Sequence, residues 1–227
     1  NEEIVVPKVD KEEATDKIKP QWKKSTHQHL TDIAASSWGL SSARISEMTG
    51  ASDMPDVYQS GIDSAYNQQW SHAYIWNSLG TWNWGDADDD FHDNLDQESG
   101  ELESPEGYND KSAKYYYNRG NQQQGDWYVG YACHYIEDAA LMLHASLPGI
   151  PMLTHHFDFE AWIANNWTSG HNFRATVAAD NYYYTVNEPK EAIRNASYNS
   201  SYGNSDLGKT VWDNYKSAGY PTAAGTG

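Results

Sequence analysis

Two pairs of residues four apart constrain this chain more than anything else in it. They are His134 with Asp138 and His156 with Glu160, and His144 stands between them. A four-residue step returns a side chain to the same face of an α-helix, so each pair sets an imidazole beside a carboxylate. Those side chains ligate divalent cations of the zinc type. All five fall within 27 residues. Their density predicts helices whose inward faces converge on a multinuclear metal site, and with it a metal-dependent hydrolase.

The surrounding pattern is helical throughout, and the expected fold class is all-α. Helices are predicted over about 24–40, from a Ser41–Ser42 cap through Met48, over Lys114–Tyr117, over 123–145 and over 154–166. Two more follow, one opening at Glu188–Pro189–Lys190 and one over 206–216. Turns are expected at Gly50–Pro55, at Gly61 and near Gly170, and Pro148, Gly149 and Pro151 end the 123–145 helix. Tyr182–Tyr184 is a candidate short strand with no obvious mate. Residues 1–21 read as an extended arm or prosegment, 22–220 as one catalytic domain and 221–227 as a flexible tail.

The stretch from Gly80 to Gly107 reads as a long acidic loop. Its Asp86-x-Asp88-x-Asp90 imitates a calcium loop, but Phe91 stands where glycine belongs and Gln97 where the closing glutamate belongs. A solvated loop is therefore expected there.

Composition narrows the partners. A formal charge of -17 disfavours duplex nucleic acid, which needs a basic footprint. With 17 Tyr and 10 Trp against few branched aliphatics, the core is expected to be built from aromatics. No apolar run reaches the length of a membrane span. The single Cys133 excludes an internal disulfide framework and reads as a buried, inert thiol. A secreted, monomeric protein is expected.

Further ligand candidates lie upstream: His27 on the first helix, Asp56 in a Met54-Pro55-Asp56 turn, and His72 in Ser71-His72-Ala73-Tyr74. His29 is two residues from His27 and points about 200° away, so only one of them faces a shared centre. Glu137 points away from the His134–Asp138 face. His92, His155 and His171 are spare, and His155 replaces His156 only if the helix register slips by one.

In this order the residues resemble the zinc-dependent phospholipase C family in its small bacterial form. Thr26-His27, Asp56, Ser71-His72-Ala73-Tyr74, His134-x3-Asp138, His144-Ala145 and His156-x3-Glu160 follow the family pattern over about residues 22–216. Asp63 is the fallback for Asp56. The resemblance implies an all-α domain holding two or three Zn2+ ions. Asp56, His72, His134 and Asp138 would hold one ion; His144, His156 and Glu160 would hold a second. Asp138 would bridge to a third, shared with His27 and a terminal Trp, and Asp56 would double as general base. One departure matters. The family's Trp is the first residue and ligates through its free amine, whereas Trp22 here follows 21 residues. Either Lys19-Pro20-Gln21 precedes a cleavage point, or the third ion is held differently or is absent.

The implied activity is cleavage of a phospholipid to diacylglycerol and a phosphorylated head group, with transient peripheral membrane contact. Trp76, Trp82 and Trp84 are candidates to meet substrate, since aromatic faces attract quaternary ammonium groups. The alternatives are a zinc-dependent single-strand nuclease of the same family and a non-catalytic metal-binding surface protein.

Overall fold

The computed structural model describes residues 24–59, 72–76, 83–96, 112–146, 150–180, 185–201 and 206–221. Helices dominate them, at 72% against 2% strand, so the all-α expectation holds. In chain order the helices are α1 (Lys24–Ser37), α2 (Ser42–Ala51), α3 (Met54–Gln59), α4 (Ala87–Asp96), α5 (Ala113–Tyr117) and α6 (Gln122–Ala139). After them come α7 (Met142–Ala145), α8 (Ile150–Asn165), α9 (Phe173–Ala178), α10 (Pro189–Ser200) and α11 (Asp206–Ser217). None among the described residues is long and apolar enough to cross a membrane. A two-residue antiparallel ladder, not anticipated from the sequence, pairs β1 (Ile75–Trp76) with β2 (Asn83–Trp84).

The central element is α6. Its start is capped by Asn121, whose side chain accepts from the Gln124 amide at 3.2 Å. It packs against α2, α4, α5 and α10. The α2 contact is unusually close, because a Cβ at Gly130 would collide with the Met48 carbonyl. That approach carries the end of α2, with Ser52 and Asp53, onto the face of α6 that bears His134.

The core around α6 joins Tyr74, Phe91, Tyr131, Tyr135 and Ile193 with the alanines 51, 87, 132 and 139. Small residues let the helices approach and the rings fill the remaining volume. A second cluster joins Leu141, Met142, Leu143, Phe159, Trp212 and Tyr215. Aromatics therefore supply most of the buried bulk, as the composition implied.

Several expectations need correction. The 123–145 helix is two: α6 ends at Ala139, Leu141 is extended (φ -86, ψ 125), and α7 restarts at Met142. The turn expected over Gly50–Pro55 shrinks to Ser52–Asp53, because α2 runs through Gly50 and α3 begins at Met54. Asp56 thus sits in the first turn of a short helix, not in a rigid turn. Pro151 opens α8, which starts four residues before the expected Thr154. The short α9 was not anticipated.

The acidic stretch departs most. Its residues 87–96 form α4, with Asp88, Asp89 and Asp90 in the first turn, where the helix dipole favours negative charge. Asp88 is buried and paired with Arg194 of α10 at 2.9 Å, and Lys190 reaches Asp89. Residues 1–21, Gly61, Tyr182–Tyr184 and 222–227 lie outside the described residues.

Candidate metal centre

The inward face of α6 presents His134 and Asp138, both fully buried. Helix α1 lays His27 over His134, with ring centroids 3.9 Å apart. Helix α3 adds Asp56, whose Oδ1 lies 3.5 Å from His134 Nε2. His72 comes from the segment leading into β1, and its Nδ1 is 2.8 Å from Asp138 Oδ2. These five residues form the first cluster.

The second cluster is stitched to the first through the backbone. The Tyr74 amide donates to the His144 carbonyl at 3.2 Å, and His144 Nδ1 lies 3.2 Å from the His72 carbonyl. A bridge between Trp76 and Ser146 extends the seam. The turn at Ala140–Leu141 that separates α7 from α6 is what brings His144 back beside Asp138, at 3.7 Å from its Oδ1. Helix α8 then supplies His156, whose Nε2 is 3.0 Å from His144 Nε2 and 2.7 Å from Glu160 Oε1.

All eight expected ligands are therefore brought together. They fall into three groups, the first two sharing His134: His27, Asp56 and His134; His72, His134 and Asp138; His144, His156 and Glu160. Within each group the ligand atoms lie within 4.8 Å of one another, so each group could hold a metal ion. His29, as expected, faces elsewhere and stacks on Trp167. His92 pairs with Asp93, His155 stacks on Tyr220 at 4.0 Å, and His171 packs on Trp162 and Phe173. The register slip that would substitute His155 for His156 is thus not adopted. Asp63, Trp22 and Trp82 lie outside the described residues. Trp76 packs edge-on against Tyr74 and Tyr198.

Several polar atoms of the site are left unsatisfied by the protein itself. His27 Nε2, Asp56 Oδ1 and Asp138 Oδ1 are buried and have no hydrogen-bond partner. Orphaned buried polar atoms are rare, because each forfeits its hydration without replacement. Such atoms also occur away from the site, at Thr49 and Trp167, but here three belong to neighbouring ligand candidates. Among the described residues, the ion pairs of Asp56, Asp138 and Glu160 are all with imidazoles. Buried carboxylates facing only each other and neutral rings are costly unless a positive charge joins them.

The electrostatics agree. Burial holds His27, His72 and His134 below the ordinary imidazole value, and neighbouring imidazoles add to this at His27 and His72. These rings are therefore neutral, the form that ligates. Burial pushes the Asp56 and Asp138 carboxyls well above the usual range, with other carboxylates adding to the rise. Glu160 is also pushed up by burial, but His156 and His144 outweigh that and hold it low.

No family model, curated protein or solved structure matches the chain.

One neighbour of the site was not legible in the sequence. On its own flank of α6, Glu137 has Oε2 2.7 Å from His27 Nδ1, and its Oε1 accepts from Thr31 Oγ1 at 2.8 Å. It does leave the His134–Asp138 face, since one residue is a 100° turn of the helix. Helix α1 happens to pack on that side. Cys133, on the same flank, has its thiol pushed up to about 12 by burial and by the Glu137 carboxylate, as fits an inert side chain.

Proposed function

We propose that this chain is a zinc-dependent phosphodiester hydrolase, most nearly a phospholipase C that releases diacylglycerol and a phosphorylated head group. The observation that carries the reading is the pair of abutting ligand clusters, with three orphaned buried atoms in the first of them. Nitrogen and carboxylate donors in groups of three to four suit zinc better than an all-oxygen cation such as calcium. His72, His134, Asp138 and Asp56 would hold one ion, and His144, His156 and Glu160 a second. His27 and Asp138 are the side chains available to a third. Zinc ions held close together neutralise phosphate oxygens, acidify water and stabilise a departing oxyanion.

The chain's own groups divide the remaining work. Asp56 is the general base of this reading. Its side chain keeps 15% exposure while Asp138 has none, so it is the carboxylate that water can reach. The fully buried His134 and Asp138 hold geometry and exclude water. The acidic surface argues against a nucleic-acid substrate, which favours phospholipid over single-stranded DNA.

The test is zinc content by mass spectrometry together with hydrolysis of phosphatidylcholine vesicles and of single-stranded DNA. Phosphocholine release by the zinc-loaded protein supports the reading. Cleavage of DNA alone replaces the phospholipase with a nuclease. Tight zinc binding with no turnover on either substrate leaves a metal-binding protein without catalysis.

A further inference from the structure

Two imidazoles of the centre are oriented by backbone carbonyls. His134 Nδ1 lies 2.8 Å from the Ser52 carbonyl, and His144 Nδ1 lies 3.2 Å from that of His72. A carbonyl accepts and never donates, so each ring carries its proton on Nδ1 and turns a bare Nε2 to the cluster. His27 is held differently. Its Nδ1 meets the carboxylate of Glu137 at 2.7 Å, and Thr31, one helical turn along α1, donates to the other oxygen of that carboxylate at 2.8 Å. On the far side of the ring, Nε2 is buried, orphaned and 3.6 Å from the equally orphaned Asp138 Oδ1.

We propose that Glu137, steadied by Thr31, is a positioning residue that keeps the proton of His27 on Nδ1 and so presents Nε2 as a ligand to a divalent cation shared with Asp138. The proposal rests on the metal-centre reading above. It assigns one α6 residue to orienting a ligand and the next to ligating. A carboxylate behind an imidazole fixes the ring's tautomer and makes the opposite nitrogen a better donor.

Imidazole 15N spectra of the zinc-stripped protein test this, because they report which nitrogen carries the proton. His27 is expected as the Nδ1–H tautomer in the wild type. Glu137→Gln keeps an oxygen acceptor and should keep that tautomer. Glu137→Met keeps the volume but no acceptor; it should give mixed tautomers and lose zinc affinity about 10- to 100-fold, the usual cost of removing an outer partner of a metal ligand. Competitive zinc titration should show Glu137→Gln recovering much of that loss. Thr31→Val removes only the hydroxyl and should shift both readouts the same way by less, which serves as the test if Glu137→Met does not fold. A wild-type His27 protonated on Nε2 would mean that Glu137 donates instead of accepting, and overturns the proposal. So would unchanged tautomer and affinity in Glu137→Met or Thr31→Val. A wild type that binds no zinc overturns the metal-centre reading itself, a result distinct from failure of Glu137's role alone.

Discussion

Helix α6 buries an aspartate near each end, and the two are held in opposite ways. Asp126 receives the Arg44 guanidinium on both oxygens, with Nη2 at 2.6 Å and Nε at 2.9 and 3.1 Å, and the Tyr117 hydroxyl at 2.6 Å. Asp138 faces imidazoles, and one of its oxygens has no partner. Burial pushes both carboxyls up, but Arg44 and Tyr117 overcome it at Asp126, whose proton affinity ends below the ordinary value. At Asp138 burial prevails. The first aspartate is completed by the fold; the second keeps an unsatisfied oxygen inside a group that could hold a cation. A structural ion pair and a ligand site differ in this respect, although both are buried acids on one helix.

The largest effect should come from removing a ligand at the second end. His134→Ala is expected to lower phosphodiesterase turnover at least about 100-fold, since even outer partners of metal ligands are worth about 10- to 100-fold. Helix content by circular dichroism should stay near the wild type, because the α6 core is carried by Tyr131, Ala132 and Tyr135. Full activity in His134→Ala would end the proposed function.

Next come substitutions that set the two aspartates against each other. Asp126→Ala strips Arg44 of its partner and should cost about 2–3 kcal/mol in chemical denaturation with chelator present, somewhat less than a fully buried pair because Arg44 keeps 30% exposure. Asp138→Asn replaces a buried carboxyl that meets imidazoles, not a lysine or arginine, among the described residues. Its metal-free stability is expected within about 1 kcal/mol of the wild type, or above it. A loss at Asp138 as large as that at Asp126 would erase the distinction.

Added zinc should reverse the ranking. Zinc at about 100 times its dissociation constant adds about 2.7 kcal/mol to the folded state. That is a rise in melting temperature of about 5–10 °C for a chain of this length. Asp126→Ala should keep most of this increment, and Asp138→Asn should lose most of it. Equal increments in both would detach Asp138 from the site.

The same contrast explains what could be read in advance. His134, Asp138, His156 and Glu160 were legible because ligand pairs on one helix face need only the four-residue step. His144 was legible as a candidate, but the break at Leu141 that aims it was not, since no glycine or proline marks that turn. Glu137 was missed because its role depends on which flank of α6 receives α1, a fact of packing and not of periodicity. The helix α4 was read as a loop because its aspartates look solvent-bound in isolation. Arg194 and Lys190 lie about a hundred residues away and make that helix possible. Local pattern reveals an element's faces; which neighbour each face meets is tertiary information.

Smaller effects of pH sharpen the Asp126 end. Its proton affinity in the folded state lies below the ordinary value of 3.8, so its contribution is present above that pH and lost as pH falls further. Tyr117 moves the other way. Burial, then the hydrogen bond to Asp126 and its charge, raise the phenol from 10.0 to about 12. The folded state therefore keeps this proton when the unfolded chain has released it. The contribution is complete below about 10 and disappears as pH climbs toward about 12. Tyr117→Phe should make the alkaline limb of a stability–pH curve shallower, by a small amount because the side chain is 37% exposed. Asp138→Asn should leave that limb as steep as in the wild type, because the phenol's bond is to the other aspartate. A Tyr117→Phe curve superimposable on the wild type would show that the hydroxyl adds nothing to the Arg44–Asp126 pair, and that the guanidinium alone completes this end of α6.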